Sequence, residues 1–306
     1  MSVLVVSAIV APHLPLPYPP AVPDLAQVTL PPFGSGRHWL GTDPQGRDVL
    51  SNLLFGARNA VLLTLPAALL AAGLGAIAGG AAGFWGNAGR LAQPYWLLAF
   101  GGGWWLVARP ELSLVSNAAL IVLAGGLIVA ARRVQQTWPV PLNTVVMGAA
   151  TALDTMPRLV LVIALAAVAG GVSLLGLLVL FTFTSWPHSA RLVRAQMLRV
   201  RALPFVEAAR AAGMNEGRIW LFHALPHAAQ PLRTALPLSM AGLLGLESTL
   251  SFLGIGLPPD VASWGRLLAA VRDAPEAWWV FLFPAACLTI TIMSLSSLTK
   301  QSDLTS

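Results

Sequence analysis

Residues 207–226 read EAARAAGMNEGRIWLFHALP, a short polar stretch between segments that are almost entirely apolar. Pro204 suits the first turn of a helix and Gly213 suits its C-terminal cap, so roughly two to three turns fit between them. Glu207 falls near the positive end of the helix dipole, and the alanines after it offer a small-residue surface. The stretch predicts a compact helix and turn that can enter a groove of another protein. The alternative is an ordinary loop helix that joins two membrane spans.

The composition of the whole chain is that of an integral membrane protein. Of its 306 residues, 56% are hydrophobic and only 10% are charged, and the mean hydropathy is +0.73. Soluble domains carry about 25% charged residues. The net charge of +6 does not indicate nucleic-acid binding, because the arginines cluster between apolar segments and do not alternate with aromatic residues.

The sequence predicts neither a cofactor nor a metal site. Cys287 is the only cysteine, which excludes an internal disulfide and a cysteine-based metal site. His223 and His227 are four residues apart, but Pro226 lies between them and no third ligand is near. Asp43 and Asp48 have the default interpretation of a solvated turn, not of a metal or acid–base pair. No G-x-x-x-x-G-K-[ST] motif occurs, so the chain does not bind ATP through that motif.

The first 59 residues are predicted to contain three segments. Residues 1–11 are apolar but reach only about half of the roughly 20 residues that a spanning helix needs, so we expect a truncated first helix. Residues 12–32 contain eight prolines and suggest an extended linker. Residues 38–59 are amphipathic, and we expect them to lie along the outer membrane surface.

Residues 60–306 are predicted to form a transmembrane domain of helices. Spans are expected at 60–85, 143–169, 171–187, 231–250 and 280–298, with an extra helical hairpin at about 93–133. Five glycines in the first of these spans favour close contacts between helices: Gly73, Gly75, Gly79, Gly80 and Gly83. The segment from Arg191 to Arg233 is rich in arginine, so the positive-inside rule places this loop in the cytoplasm.

Two charged positions fall inside predicted spans. Asp154 and Arg158 are four residues apart, and on one continuous helix this spacing would let them pair. They could line a translocation path or serve as an internal staple near Pro157, and the sequence leaves both open. Glu247 is more consistent with a hydrogen bond to a neighbouring helix end than with a proton relay.

The motif E-A-A, three residues, Gly, and later Leu-Pro resembles the cytoplasmic loop signature of permease subunits in bacterial ATP-binding cassette (ABC) importers. Two further blocks resemble the dipeptide, oligopeptide and nickel branch, in particular its second, C-type permease. They are GTDPQGRDVLS at 41–51 and ESTLSFLGIG at 247–256, the latter followed by Ser-Trp-Gly at 263–265. The chain departs from the family at residues 296–300, where Asn-Leu-Leu-Gly-Asp is usual. The signature positions of the loop are Glu207, Ala208, Ala209, Gly213, Leu225 and Pro226.

This resemblance implies an all-α helical bundle of the type I importer permease kind, in the bacterial cytoplasmic membrane. The loop at about 191–230 would carry a coupling helix that sits in a cleft of an ATPase subunit. The implied partners are a homologous second permease, two ABC ATPase subunits that hydrolyse ATP, an extracytoplasmic substrate-binding protein and membrane lipid. The permease itself would have no catalytic residue, and its substrates would be di- or oligopeptides.

Three other functions are considered. A nickel or metal-chelate importer shares the same blocks and would differ in its binding protein. A membrane scaffold that has lost its ATPase contact would not copurify with an ATPase. An intramembrane enzyme that uses Asp154 or Glu247 is disfavoured, because neither residue has a second acid at a catalytic spacing.

The distribution of arginines predicts the topology of the chain. Arg90, Arg132, Arg133 and the 191–233 loop should share the cytoplasmic side. An impermeant thiol reagent added to intact cells should therefore modify a cysteine placed at Pro259 but not one placed at Asn215. The reverse labelling pattern would mean that the topology is inverted.

Overall fold

The computed structural model describes residues 18, 22–34, 38–87, 90–92, 137–139, 141–168, 173–258 and 260–303. Contacts group the chain into two units, residues 1–84 with 146–306 and residues 85–145. The elements, in chain order, are α1 (Val49–Trp85), β1 (Arg90–Ala92), β2 (Thr137–Pro139), α2 (Leu142–Asp154), α3 (Arg158–Val168), α4 (Leu174–Val200), α5 (Pro204–Ala211), α6 (Glu216–Arg218), a π-helix (Ile219–Ala224), α7 (Leu225–Ala228), α8 (Leu232–Phe252), α9 (Trp264–Ala270) and α10 (Trp278–Asp303).

Several of these helices are long and apolar enough to cross a membrane. Among the described residues these candidate spans are Val49–Trp85, Leu232–Phe252 and Trp278–Thr299, with a fourth if α2 and α3 cross together despite the 89° bend between them. The predicted crossing at 171–187 falls in α4, which is not one of the candidates. The prediction of an all-α polytopic membrane protein is confirmed, while most of the predicted hairpin at 93–133 lies outside the described residues.

The structure corrects the expected surface segment at 38–59. Residues 49–59 are the first turns of α1, which continues without a break to Trp85. Asp48 caps this helix, because its Oδ2 accepts a hydrogen bond from the backbone N–H of Ser51 at 2.8 Å. Val49 and Leu53 are buried against α9 and α10, and the Trp264 indole donates to the carbonyl of Leu53 at 2.8 Å. The apolar side of these turns therefore meets protein.

Helices α1 and α4 approach closely through the predicted glycines. A Cβ on Gly79 would clash with the backbone carbonyl of Ala190, and one on Gly83 would lie 2.8 Å from the Cβ of Met197. Gly75 meets the backbone around Ser189 in the same way. These glycines recur every fourth residue and so form one face of α1, where the missing side chains let the helix backbones touch.

A second cluster of buried residues joins the middle of α1 to α3, α4 and α8. Leu63 and Ala67 of α1 are fully buried, as are Val162 of α3 and Phe181 of α4. Leu243 of α8 completes the contact. The packing of these side chains holds the helices that flank the polar loop of residues 203–230.

The unit of residues 85–145 contains the short antiparallel ladder of β1 and β2. Arg90 pairs with Pro139 and Ala92 pairs with Thr137. The backbone N–H of Asn143 also donates to the carbonyl of Gly86 at 3.1 Å. The two ends of the segment between β1 and β2 therefore lie side by side. The role of the residues between the strands stays a prediction.

The packing of α1 against α4 predicts different effects for two glycine substitutions. Gly79→Ala places a Cβ against backbone that cannot move away, and overpacking costs about 1–3 kcal/mol. Gly73→Ala is the matched control, because a Cβ on Gly73 has no atom within 4 Å. Thermal unfolding in detergent should show a lower midpoint for Gly79→Ala and an unchanged or higher midpoint for Gly73→Ala. Equal midpoints would contradict the close contact.

Candidate functional site

Helix α5 is the predicted helix of the polar loop. Pro204 occupies its first turn, where a missing N–H costs no hydrogen bond. Val206 is fully buried and anchors the helix on the protein, whereas Glu207 and Ala208 are exposed. Ala209 is half-buried. One side of α5 therefore packs inward, and the side that carries Glu207 and Ala208 faces outward.

Gly213 ends α5 in a Schellman motif. Its φ is +77°, in the left-handed region that glycine adopts without strain. The N–H of Met214 donates to the carbonyl of Ala209 at 3.1 Å, and the N–H of Gly213 donates to that of Arg210 at 2.9 Å. The predicted C-terminal cap is confirmed. Since a Cβ here would meet no atom within 4 Å, the backbone angle alone requires glycine.

An ion pair closes the turn after Gly213. The Arg210 guanidinium donates to both carboxylate oxygens of Glu216, with its Nε 2.7 Å from Oε1, and this bond raises the pKa of Arg210. The same guanidinium lies 5.6 Å from the centre of the Phe84 ring. The Asn215 side chain accepts from the N–H of Gly217 at 2.8 Å and so starts α6. The turn is thus fixed by contacts on both sides.

Leu225 and Pro226 are the first two residues of α7, directly after the π-helix. Pro226 has no backbone N–H, so the α-helical hydrogen bond from residue 226 to the carbonyl of Phe222 is absent. The backbone N–H of Leu225, just before it, donates to the carbonyl of Trp220. This acceptor is five residues earlier, which is the spacing of a π-helix. A Cβ on Gly80 would lie 2.7 Å from Cδ1 of Leu225 and 3.4 Å from the Trp220 indole nitrogen. These two side chains attach the loop to α1.

The outward side of the loop is apolar with a few charges. Leu203, Leu221 and Phe222 are 42%, 45% and 67% exposed. Together with exposed Glu207 and Ala208 they give a surface of small and apolar side chains beside an acidic group. We call the described residues 203–226 the coupling loop, after the role that the resemblance of its sequence implies.

The prediction that Asp154 pairs with Arg158 is wrong. Helix α2 ends at Asp154 and the chain bends by 89° before α3 begins at Arg158, so the two side chains do not share a helix face. Asp154 instead forms an ion pair with Arg191 of α4. Pro157 disfavours a helical conformation in the residue before it, and this was the signal in the sequence for the bend.

Glu247 is buried in α8 and accepts hydrogen bonds from three serines. The hydroxyls of Ser251 and Ser263 lie 2.8 Å and 2.9 Å from Oε1, and that of Ser248 lies 3.3 Å from Oε2. Ser263 is the residue that precedes α9. The expected contact with a neighbouring helix end is therefore confirmed.

Asp43 and Asp48 do not form a solvated turn, because both side chains are buried. Asp43 accepts from the backbone N–H groups of Gln45 and Arg47, and burial raises its pKa against these bonds. Asp48 Oδ1 lies 2.9 Å from Nδ1 of His38, a contact that the sequence analysis missed. A histidine ten residues before an aspartate gave no local signal. These hydrogen bonds within the loop before α1 hold the start of that helix.

The two histidines considered as metal ligands, His223 and His227, have separate surroundings. His227 lies beside the Phe205 ring, with 5.2 Å between ring centres, and His223 belongs to the π-helix. Within the described part of the chain, no three His, Cys, Asp or Glu side chains are grouped as metal ligands would be.

These helices define a polytopic membrane protein with an exposed loop between two of its spans. The family model for the inner membrane component of binding-protein-dependent transport systems matches residues 122–303. The chain therefore belongs to this family, which comprises the permease subunits of ABC importers.

Known proteins resemble most of the chain. A Brucella suis protein named as a peptide transport system permease is 32% identical over 260 residues, which are 85% of this chain and 69% of the relative. The peptidoglycan transport system permease protein YejE of Agrobacterium fabrum is 30% identical over 258 residues, 84% of this chain and 52% of the relative. A chain of the MetNI methionine ABC transporter in inward-facing conformations superposes with a TM-score of 0.54 at 16% identity, covering 82% of this chain and 94% of that one. This likeness shows the type I importer permease fold.

The hydrogen bonds of Glu247 predict how its substitutions differ. Glu247→Ala would leave three buried serine hydroxyls without their acceptor, at about 1–3 kcal/mol each. Glu247→Gln keeps an acceptor oxygen but carries no transferable proton. We expect thermal unfolding in detergent to show a large loss of stability for Glu247→Ala and a small loss for Glu247→Gln. A Glu247→Gln variant that is stable but without transport would instead favour a proton relay.

Proposed function

We propose that this chain is the second, C-type permease subunit of an ATP-driven importer that moves di- or oligopeptides across the bacterial cytoplasmic membrane. Its partners are a homologous permease, two ABC ATPase subunits and an extracytoplasmic substrate-binding protein, with lipid around the spans. ATP hydrolysis takes place on the ATPase subunits. The permease contributes alternating access of its helices to the two sides of the membrane. The family of the chain and the peptide transporters among its relatives support this function.

The observation that carries the proposal is the geometry of the coupling loop. It presents Glu207 and Ala208 on an exposed side, while Val206 and Ile219 are fully buried beneath. A short outward-facing helix with small side chains and one acidic group has a shape that can enter a cleft of an ATPase subunit. We assign the ATPase contact to Glu207, Ala208 and Ala209, and the fixed shape of the loop to Gly213, Leu225 and Pro226.

The attachment of the loop gives a route by which force can reach the spans. Trp220 and Leu225 contact α1 at Gly80, and the Arg201 guanidinium donates to the carbonyl of Gly83 at 3.1 Å. The loop also follows directly from α4 and leads into α8. Movement of the ATPase subunits would therefore displace three helices together.

Of the two roles considered for Asp154 and Arg158, we propose the staple for Asp154. Its ion pair with Arg191 links the bend between α2 and α3 to the helix that carries the coupling loop. Arg158 is exposed at the start of α3 and remains available to line the path.

Substitutions in the coupling loop test this function. Gly213→Val forces a β-branched residue to a φ of +77°, at a cost on the order of 1–3 kcal/mol. It should lower peptide-stimulated ATP hydrolysis of the assembled complex by roughly tenfold and reduce ATPase copurification. Glu207→Gln, which removes only a charge, should have the smaller effect. Neither substitution should change membrane insertion.

Gly213→Asn is the matched control, because asparagine tolerates the left-handed conformation. It should retain most of the activity that Gly213→Val loses. Full transport by the combined Gly213→Val and Glu207→Ala variant would refute the coupling role and favour a non-transporting scaffold. A complex that imports nickel chelates but no peptide would keep the coupling role and refute the assigned substrate.

A further inference from the structure

The loop before α1 is a folded segment that its own hydrogen bonds hold in place. The backbone N–H of Thr42 donates to the carbonyl of Leu30 at 3.1 Å, so two separate stretches of this loop run side by side. The backbone N–H of Phe33 donates to the carbonyl of Trp39 at 3.2 Å in the same way. These bonds bring Phe33 and Trp39 together, and we call these two residues the aromatic pair.

Burial in this loop is the reverse of what a water-exposed surface usually shows. The polar side chains of His38, Thr42 and Asp43 are buried, whereas Phe33 is 83% exposed and Trp39 is 62% exposed. Buried polar groups are the informative departure from the usual pattern, and an exposed apolar patch marks a contact with protein or membrane. The loop therefore presents its aromatic side chains to something other than water.

The backbone of Phe33 is strained. Its φ of +62° lies in the left-handed region, where a bulky side chain is an outlier. The N–H of Gly34 donates to the carbonyl of Pro31 at 3.1 Å, and together with the bond to Trp39 this keeps the turn in its shape. Such strain persists mostly where it serves a function. The exposed position of Phe33 is thus fixed by the fold of the loop.

Helix α10 gives the level of the membrane surface at this end of the bundle. Its candidate span, Trp278–Thr299, has 22 residues and is about 33 Å long, close to the roughly 30 Å of a bilayer core. Trp278 therefore lies at a boundary of the core, and Glu276 just before it is exposed. Trp278, Phe281 and Leu282 are exposed on one side of the helix, as expected of a side that meets lipid.

The aromatic pair is tied to this boundary through Trp279, the second residue of α10. The Trp279 indole donates to the carbonyl of Thr42 at 3.1 Å. Trp39 is three residues from Thr42 in the chain, so their Cα atoms are at most roughly 10 Å apart. The headgroup region on each side of the core is about 5–8 Å thick, and tryptophan is enriched there in membrane proteins. The aromatic pair is therefore within reach of the headgroups.

We propose that the aromatic pair inserts into the headgroup region of the bilayer and anchors the loop before α1 at the end of the bundle opposite to the coupling loop. The indole of Trp39 suits this depth, because its ring is apolar and its N–H can donate to a polar headgroup. Among the described residues of the loop, acidic side chains outnumber basic ones, so apolar contact and not attraction to anionic lipid supplies the binding. The inference does not depend on which substrate is transported.

Quenching of a fluorescent label tests the depth of the aromatic pair. Phe33→Cys in a Cys287→Ala background gives this chain a single site for the fluorophore nitrobenzoxadiazole. The assembled complex, with cysteine-free partner subunits and without binding protein, is placed in phosphatidylcholine nanodiscs. The label should be quenched by phosphatidylcholine that carries a nitroxide near the headgroup end of an acyl chain, and only weakly by iodide. Gln45→Cys is the matched control on an exposed polar residue of the same loop, and its label should be quenched several times more strongly by iodide and not by the nitroxide lipid.

Variants of Trp39 assign the effect to the aromatic pair. Trp39→Ser should raise iodide quenching of the label at residue 33 several-fold, whereas Trp39→Phe, which keeps an aromatic ring, should leave it low. Addition of phosphatidylglycerol should change neither result, because the proposed contact is apolar, and a requirement for this anionic lipid would contradict the proposal.

Three outcomes would overturn the anchor. The first is equal quenching of the labels at residues 33 and 45, and the second is unchanged quenching in Trp39→Ser. The third is a label at residue 33 that the nitroxide lipid does not quench. In that third case, a label open to iodide until purified binding protein is added would assign the aromatic pair to a soluble protein partner, and a label shielded from both quenchers would assign it to another subunit of the complex.

Discussion

The close contact of α1 with α4 is the constraint on which the coupling loop depends. Three glycines of α1 let its backbone touch that of α4 around Ala190, and the loop begins where α4 ends. Because Trp220 and Leu225 also contact α1, at Gly80, the loop is held at both ends of its path. Where Gly79 meets the backbone of Ala190, no side chain separates α1 from α4, so rotamer changes cannot absorb a displacement at this point and the helices themselves would move.

The N-terminal end of α1 is fixed by hydrogen bonds to backbone carbonyls. The Trp264 indole donates to Leu53, and the Trp279 indole donates to Thr42 at 3.1 Å. Both indoles are buried. Trp264 joins α9 to the first turns of α1, and Trp279 joins α10 to the loop before α1. The residues of the block at 41–51 are therefore structural. Gly41 adopts a φ of +78°, and Asp48 caps α1. The sequence pattern of this block is therefore explained by the folding of the loop, without a catalytic or binding role.

The sequence was most informative where one residue type has one conformational use. Gly213 predicted a helix end because the left-handed angle is nearly reserved for glycine, and the glycines of α1 predicted close packing because only they remove the Cβ. It was least informative about contacts between distant residues. The spacing of Asp154 and Arg158 assumed one helix, and nothing local identified Arg191 as the partner. The continuity of α1 through residue 60 was also missed, because an amphipathic pattern does not tell a lipid surface from a protein one.

Helix α8 connects the two polar regions of the molecule. It begins at Leu232, with three residues between it and the end of α7 at Ala228, and it ends at Phe252. At about 1.5 Å per residue its 21 residues span about 30 Å, the thickness of a bilayer core. Glu247 joins the far end of this helix to Ser263 at the start of α9, the helix that carries Arg266. A tilt of α8 that starts at the coupling loop would therefore be passed to α9 through the bond of Glu247 with Ser263, and in the proposed function this links ATPase closure to the far end of the helix bundle.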